Sequence, residues 1–437
     1  MKTLCTSLLF LLFAGMVPAQ EPFPFRIILE PVIPTGFKGL HSYAWAREGQ
    51  EVLLIGGRTD GLHRRQPFAA FQPRYNNTEL VWIDLNTFAM RTTSLQPLPA
   101  SLREQLQSSN MEFLQDGNRL VLIGGYGYSE TKTDPITFPG LITAPVRELI
   151  DAVRSGGDIR PYFTQVTDER MAVTGGRLQR IGDRYLLVGG QRFDGRYNPH
   201  GPDHGPGFSQ QYTNEVRHFK LSAPGTPLQV LEQGTIRDTA LLHRRDLNVL
   251  PRADRPDMLT LFSGVFRYDK DLPYTTLIDI TPDGIREVPA FQQLYNHYHT
   301  ASLSAYSRKT RTGYSVFFGG IAMHMPDSTG RPVTDTDVPF VKTISVVARR
   351  GDRLKEYVLP EVMPGYFGAA ADLIPAADAP YGTGGILEID RIGSGKQLIG
   401  HIIGGIDSRA PHVFWSSAAE PSRASPVIWN VYIERKK

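Results

Sequence analysis

Apolar runs that stop at a pair of small residues recur six times along the chain. They are residues 52–57 (VLLIGG), 120–125 (LVLIGG), 185–190 (YLLVGG), 259–264 (LTLFSG), 314–320 (YSVFFGG) and 401–405 (HIIGG). Runs this short, apolar and glycine-bounded predict strands buried on both faces. A second short strand is predicted just ahead of several of them, at 40–46, 111–114 and 177–181, each followed by a polar turn. Asp116-Gly117 and Gly182-Asp183 in those turns are hairpin signals. After each doublet the pattern predicts an irregular loop and then a third strand, at 80–85, 162–166, 215–221, 275–280, 341–348 and 427–433. A fourth follows at 88–93, 227–231 and 355–359.

Four antiparallel strands repeated six times describe an all-β, six-bladed propeller, residues 20–437 forming one domain. Each unit alone would expose apolar faces that only its neighbours can bury. The last unit ends in a third strand, whereas residues 25–32 make a spare strand near the start. That strand is predicted to close the ring by pairing with 427–433. Two short helices are expected in the connections. Ser101 and Glu104 have capping-box spacing. Residues 144–154 place Val146, Leu149, Ile150 and Val153 on one face and end at Gly156-Gly157, a helix expected to pack over the rim. Gly156-Gly157, Gly175-Gly176 and Gly384-Gly385 lack the strand–turn–strand approach and are read as plain turns.

On the six doublets and on residues 77–87 (NTELVWIDLNT), which look like a third strand with its turn at Asp84, the chain resembles the Kelch-repeat family of propellers, part of the galactose oxidase-like propeller superfamily. Its doublets stand 56 to 85 residues apart, against roughly 50 for a Kelch repeat. The resemblance implies a binding or catalytic face built from loops. Some Kelch-type propellers are periplasmic sialic-acid mutarotases that work without a cofactor; others are protein-interaction platforms. Copper galactose oxidases use a tyrosine cross-linked to cysteine. The only cysteine here, Cys5, falls in the leader described next, so that chemistry is excluded.

Residues 1–19 read as a secretory signal peptide. Lys2 supplies the positive end, residues 8–13 the apolar stretch and Val17-Pro18-Ala19 the cleavage site. A periplasmic or secreted protein is expected, without disulfides or thiolate metal sites. Net charge is +3 with scattered cations, so no nucleic-acid stripe is predicted, and no later segment is long and apolar enough to span a bilayer. A monomer is expected.

The loops after the doublets are long and rich in chemistry. His63, His200, His204, His324 and His412 fall in them, and His297 and His299 in a connection entering the channel. Residues 191–199 (QRFDGRYNP) gather Arg192, Asp194, Arg196 and Tyr197 around Gly195, read as a turn. Such a set can clamp a polar ligand, or an Arg–Asp pair can simply pin a loop. His243, Arg244, Arg245 and Asp246 are read as part of the first strand of blade four, as an anion site or an internally paired network. His297 and His299 share a face if extended, but no third ligand stands at metal-site spacing, and neither metal nor cofactor is predicted. No nucleophile elbow Gly-x-Ser-x-Gly occurs. The reading is binding of a small polar or anionic ligand, such as a carbohydrate, at the channel mouth. The alternatives are a cofactor-independent sugar mutarotase or epimerase using His/Arg/Asp acid–base chemistry, and a protein–protein interaction platform.

Overall fold

A computed structural model describes residues 23–436 apart from 199–204, 206, 415, 417 and 419. The leader, His200 and His204 lie outside the described residues. The chain forms six blades of four antiparallel strands, with a two-residue parallel strand, Leu387–Glu388, added to the inner edge of blade five, and two short helices. The second strands are the apolar runs: Glu51–Ile55, Arg119–Ile123 and Arg184–Val188 are buried along nearly their whole length because a blade is covered on both faces. Six apolar clusters alternate with the blades around the ring. The smallest, built on Phe262, Leu277, Val288, Phe317 and Val347, lies between blades four and five.

The ring closes as the spare strand predicts. Phe25–Val32 pairs antiparallel with Ile428–Arg435 over eight residues, from Phe25 opposite Arg435 to Val32 opposite Ile428. Blade six therefore reads, from inside outward, Asp372–Pro375, Lys396–Ile403, Ile428–Arg435 and Phe25–Val32.

The doublets have a second task besides bending the chain. Both residues of each take positive φ, and the second N–H reaches the next blade in five of six: Gly57 to Ser108 O (2.8 Å), Gly125 to Val173 O (2.9 Å), Gly190 to Arg244 O (2.8 Å), Gly320 to Phe367 O (2.8 Å) and Gly405 to Leu40 O (2.9 Å). The approach leaves no room for a side chain: a Cβ on Gly124 would stand 1.9 Å from Val173 O. Blade four carries Ser263 instead of the first glycine, and its Oγ donates to Asn296 O (2.7 Å), so the hydroxyl makes the bridge.

Several expectations need correction. The third strand of blade two is Gly140–Pro145, and residues 162–166 mostly belong to the outer strand, Thr164–Thr167. Helix α2 (Val146–Ser155) is inserted between the two and carries the chain away from the sheet. It packs on the apolar cluster between blades one and two and ends at Gly156 in the left-handed region. The capping box at Ser101 is not made. Helix α1 (Ala100–Leu106) starts after Pro99, and the Glu104 carboxylate instead accepts from Ser129 Oγ at 2.7 Å. The loops after four doublets are hairpins rather than irregular, the longest pairing Gln191–Gly195 with Phe208–Tyr212. Gly195 is thus a strand end, not a turn centre; a Cβ there would meet Gly207 O at 2.5 Å. Residues 40–46 and the run His243–Asp246 are not first strands. The strands begin at Ala44 and Asn248, because the residue two positions earlier is left-handed: Ser42 at φ 56° and Asp246 at φ 50°.

Candidate functional site

That left-handed residue recurs once per blade: Ser42, Asn110, Gly175, Asp246, His299 and Ala370. Gly175, read from sequence as a plain turn, holds the blade-three position. Backbone bonds link these residues from blade to blade around the channel. Asn110 N donates to Ser42 O (2.9 Å), Ser42 N to Ala370 O (2.9 Å), Ala370 N to His299 O (2.8 Å) and Asp246 N to Gly175 O (2.6 Å). A non-glycine residue in this region costs about 1 kcal/mol or more, a strain that over-determined surroundings sustain and that collects at functional sites.

The ring is the floor of a cavity of about 810 Å³ that opens on the hairpin face. The pairs His41–Ser42, Ser109–Asn110, Thr174–Gly175, Arg245–Asp246, Tyr298–His299 and Ala369–Ala370 all line it, and so does the residue directly after every doublet: Arg58, Tyr126, Gln191, Val265, Ile321 and Ile406. The channel beneath is crossed by charge. Arg177 of blade three reaches Asp372 of blade six at 2.9 Å. Glu112 of blade two accepts from Gly176 N at 2.7 Å, and burial pushes its carboxyl up to about 8.

One side of the wall is aromatic. His63 stacks on Phe71 (4.7 Å between centroids) and meets Tyr197 (4.6 Å) and Phe414 (5.5 Å) edge-on. Phe71 continues to Tyr126 (5.2 Å), and Tyr126 to Phe193 (5.4 Å). Burial pulls the His63 imidazole down to about 4, so near neutrality it is one more uncharged flat ring. Across the floor stand two His–Asp–Arg sets. Asp60 takes two bonds from Arg58 (2.9 and 2.7 Å) and lies 3.6 Å from His41 Nε2. Asp246 pairs with Arg245 and lies 3.7 Å from His299 Nδ1. Burial opposes ionisation of both aspartates. His41 and Arg58 outweigh it at Asp60, and Arg245 and His299 at Asp246, holding each at about 2. Burial lowers the affinity of His41 for a proton.

The ten residues singled out from sequence divide evenly. Tyr197, His243, Arg245, Asp246 and His299 line the cavity. His243 stacks on Tyr212 at 3.8 Å, with Nδ1 2.9 Å from Asn214 Oδ1. Arg192, Asp194, Arg196, Arg244 and His297 do not line it. Arg192 binds Asp194 (2.6 Å) and Glu169 (2.6 Å), and Asp194 also accepts from Thr137 N (2.9 Å), which pins two neighbouring hairpins together. His297 is fully buried, its Nδ1–H bonded to Gly319 O, so it shares no metal-binding face with His299. Arg244 is 0% exposed and is spent on the carbonyls of Leu241 (2.7 Å), Ser263 (3.0 Å) and Thr276 (2.8 Å), with the Tyr274 ring 3.9 Å away. Arg244→Ala strands three buried carbonyls and opens a void. We expect it to cost roughly 3 kcal/mol or more, read as a lower Tm by calorimetry.

Sequence reasoning missed His41, Arg58, Asp60 and most of the aromatic wall. One signal was present: the position after each doublet.

No family model matches the chain, and no curated protein matches it. Among solved structures, one entitled "Structure of YjhT" is similar over 91% of this chain and 98% of its own, at 9% identity and a TM-score of 0.47.

Proposed function

We propose that this is an exported propeller of Kelch type that binds a small neutral polar ligand, of carbohydrate class, in the cavity over the channel. The observation that carries the reading is the division of the wall. A volume of about 810 Å³ suits a small ligand, an aromatic side takes an apolar sugar face, and a floor of ion pairs and imidazoles takes hydroxyls. An anionic ligand is less favoured, because Arg58, Arg245 and Arg267 in the wall are each already bound to an aspartate. No described helix is long and apolar enough to cross a membrane, and residues 1–19 as a leader belong to the proposal.

Titration calorimetry with neutral mono- and disaccharides, sugar acids and quaternary amines tests it. Neutral sugars should bind. Tyr197→Ala should weaken them by about tenfold, the scale of one lost ring contact. His299→Asn, chosen because asparagine tolerates the left-handed backbone, should weaken them too without lowering the Tm. Preference for sugar acids, or no binding of any sugar, would refute the reading.

A second reading, an enzyme interconverting sugar anomers or epimers, is favoured by the two ionised aspartates beside His41 and His299. Each aspartate can orient the imidazole beside it toward a bound sugar for proton transfer. Nuclear magnetic resonance of anomer exchange tests this, with loss of acceleration in His299→Asn expected.

A further inference from the structure

Three aspartates at or beside the cavity are neutralised by arginine: Asp60 by Arg58, Asp246 by Arg245, Asp269 by Arg267. One corner of the mouth is built differently. Asp335 and Asp337 follow the blade-five hairpin of His324–Pro326 and Pro332–Thr334, and His412 sits on the neighbouring loop of blade six. One ligand atom from each of the three lies within 4.8 Å of the other two. Asp335 Oδ2 is 3.0 Å from His412 Nε2. Among the described residues no arginine or lysine forms an ion pair with either carboxylate, and the one ion-pair partner is the His412 imidazole on Asp335, charged only when protonated. Two carboxylates brought this close repel unless a cation lies between them.

The backbone fixes the arrangement before anything binds. Asp335 N is held by Met323 O (2.8 Å), Val338 N by Asp335 O (3.1 Å) and Asp337 N by Asp335 Oδ1 (3.1 Å). Phe340 N donates to Pro411 O (3.0 Å), which ties the two loops and sets His412 against the aspartates.

We propose that Asp335, Asp337 and His412 form a divalent-cation site at the mouth of the cavity. Two hard oxygens and one imidazole nitrogen suit Mn²⁺ or Zn²⁺, and three protein ligands leave further positions open. Asp337 and His412 both line the cavity, so a hydroxyl of a cavity ligand can fill one of them. The site rests on these three side chains and stands or falls apart from the carbohydrate reading.

The experiment uses the full mature chain, without a histidine tag, stripped with chelator and titrated with the metal alone. Mn²⁺ is followed by electron paramagnetic resonance of the free ion, and Zn²⁺ by calorimetry. One ion per chain is expected, with a Kd on the order of micromolar. Asp337→Asn and His412→Ala should each weaken it more than tenfold while leaving the Tm of the metal-free protein unchanged. No saturable binding of either metal, or binding unchanged in both variants, overturns the proposal. No sugar is present, so the result is independent of whether the cavity binds one.

Discussion

Deleting residues 23–32 should cost the protein its cooperative fold, either as insoluble product or as a Tm lower by more than about 10 °C. Phe23, Phe25 and Ile27 are 7%, 0% and 2% exposed and sit in the same apolar cluster as the blade-five and blade-six strands. Side chains buried this fully contribute about 1.5–3 kcal/mol each, against a total stability of about 5–15 kcal/mol. The deletion also leaves Ile428–Arg435 as a bare edge, open to pairing with another chain. Arg26→Ala is the contrast. It removes only a half-exposed ion pair with Glu434 and should change stability by less than about 1 kcal/mol. Scanning calorimetry and size-exclusion chromatography on the two variants make the comparison. An unchanged Tm after the deletion would show that blade six holds without its outer strand.

Asp279→Asn should produce the largest effect of any single isosteric change, roughly 3–5 kcal/mol and a Tm fall of about 5 °C. Asp279 is 1% exposed and takes two bonds from Arg349 (both 2.7 Å), one from Arg252 (3.1 Å) and one from Thr260 (2.9 Å). It ties blade four to blade five where the apolar cluster is smallest, so the charges supply what the core there lacks. Asparagine would leave two buried guanidiniums facing a neutral amide. The pH dependence has a definite sign. Burial works against the Asp279 carboxylate, but Arg349 and the other donors outweigh it and hold its proton affinity below the ordinary value. Its stabilisation is therefore present above the unfolded value of about 3.9 and is lost as pH falls through the lower folded one. The Tm gap between wild type and variant should narrow from pH 7 toward pH 3. A gap that stays constant would place the effect elsewhere.

The fold was legible because it is written in a repeat. Six apolar runs, their doublets and one surplus strand determine blade number and closure, and each depends only on local pattern and on the need to bury faces. Blade two misled because Gly140–Pro145 carries few strong strand formers while α2 interrupts the unit, so the next apolar stretch looked like the third strand. The site was half legible. A polar run such as His243–Asp246 draws the eye, yet alternating neighbours in it go to opposite fates: Arg245 into the cavity wall, Arg244 into a cage of carbonyls. No spacing rule separates them, because the switch is the left-handed turn at Asp246, which depends on its bond to Gly175 O. Asp335, Asp337 and His412 meet only through ring geometry, from two loops more than 70 positions apart in sequence.

Arg58, Tyr126, Gln191, Val265, Ile321 and Ile406 follow doublets whose contacts to the next blade run through backbone amides or, at Ser263, one hydroxyl. Those doublet bonds from blade to blade therefore do not depend on what side chain comes next. An arginine, a tyrosine, a glutamine and three aliphatic residues already occupy equivalent places in one molecule. These six positions behave as interchangeable sockets, through which a lineage of such rings can trade one ligand for another by single substitutions while the frame that holds them stays as it is.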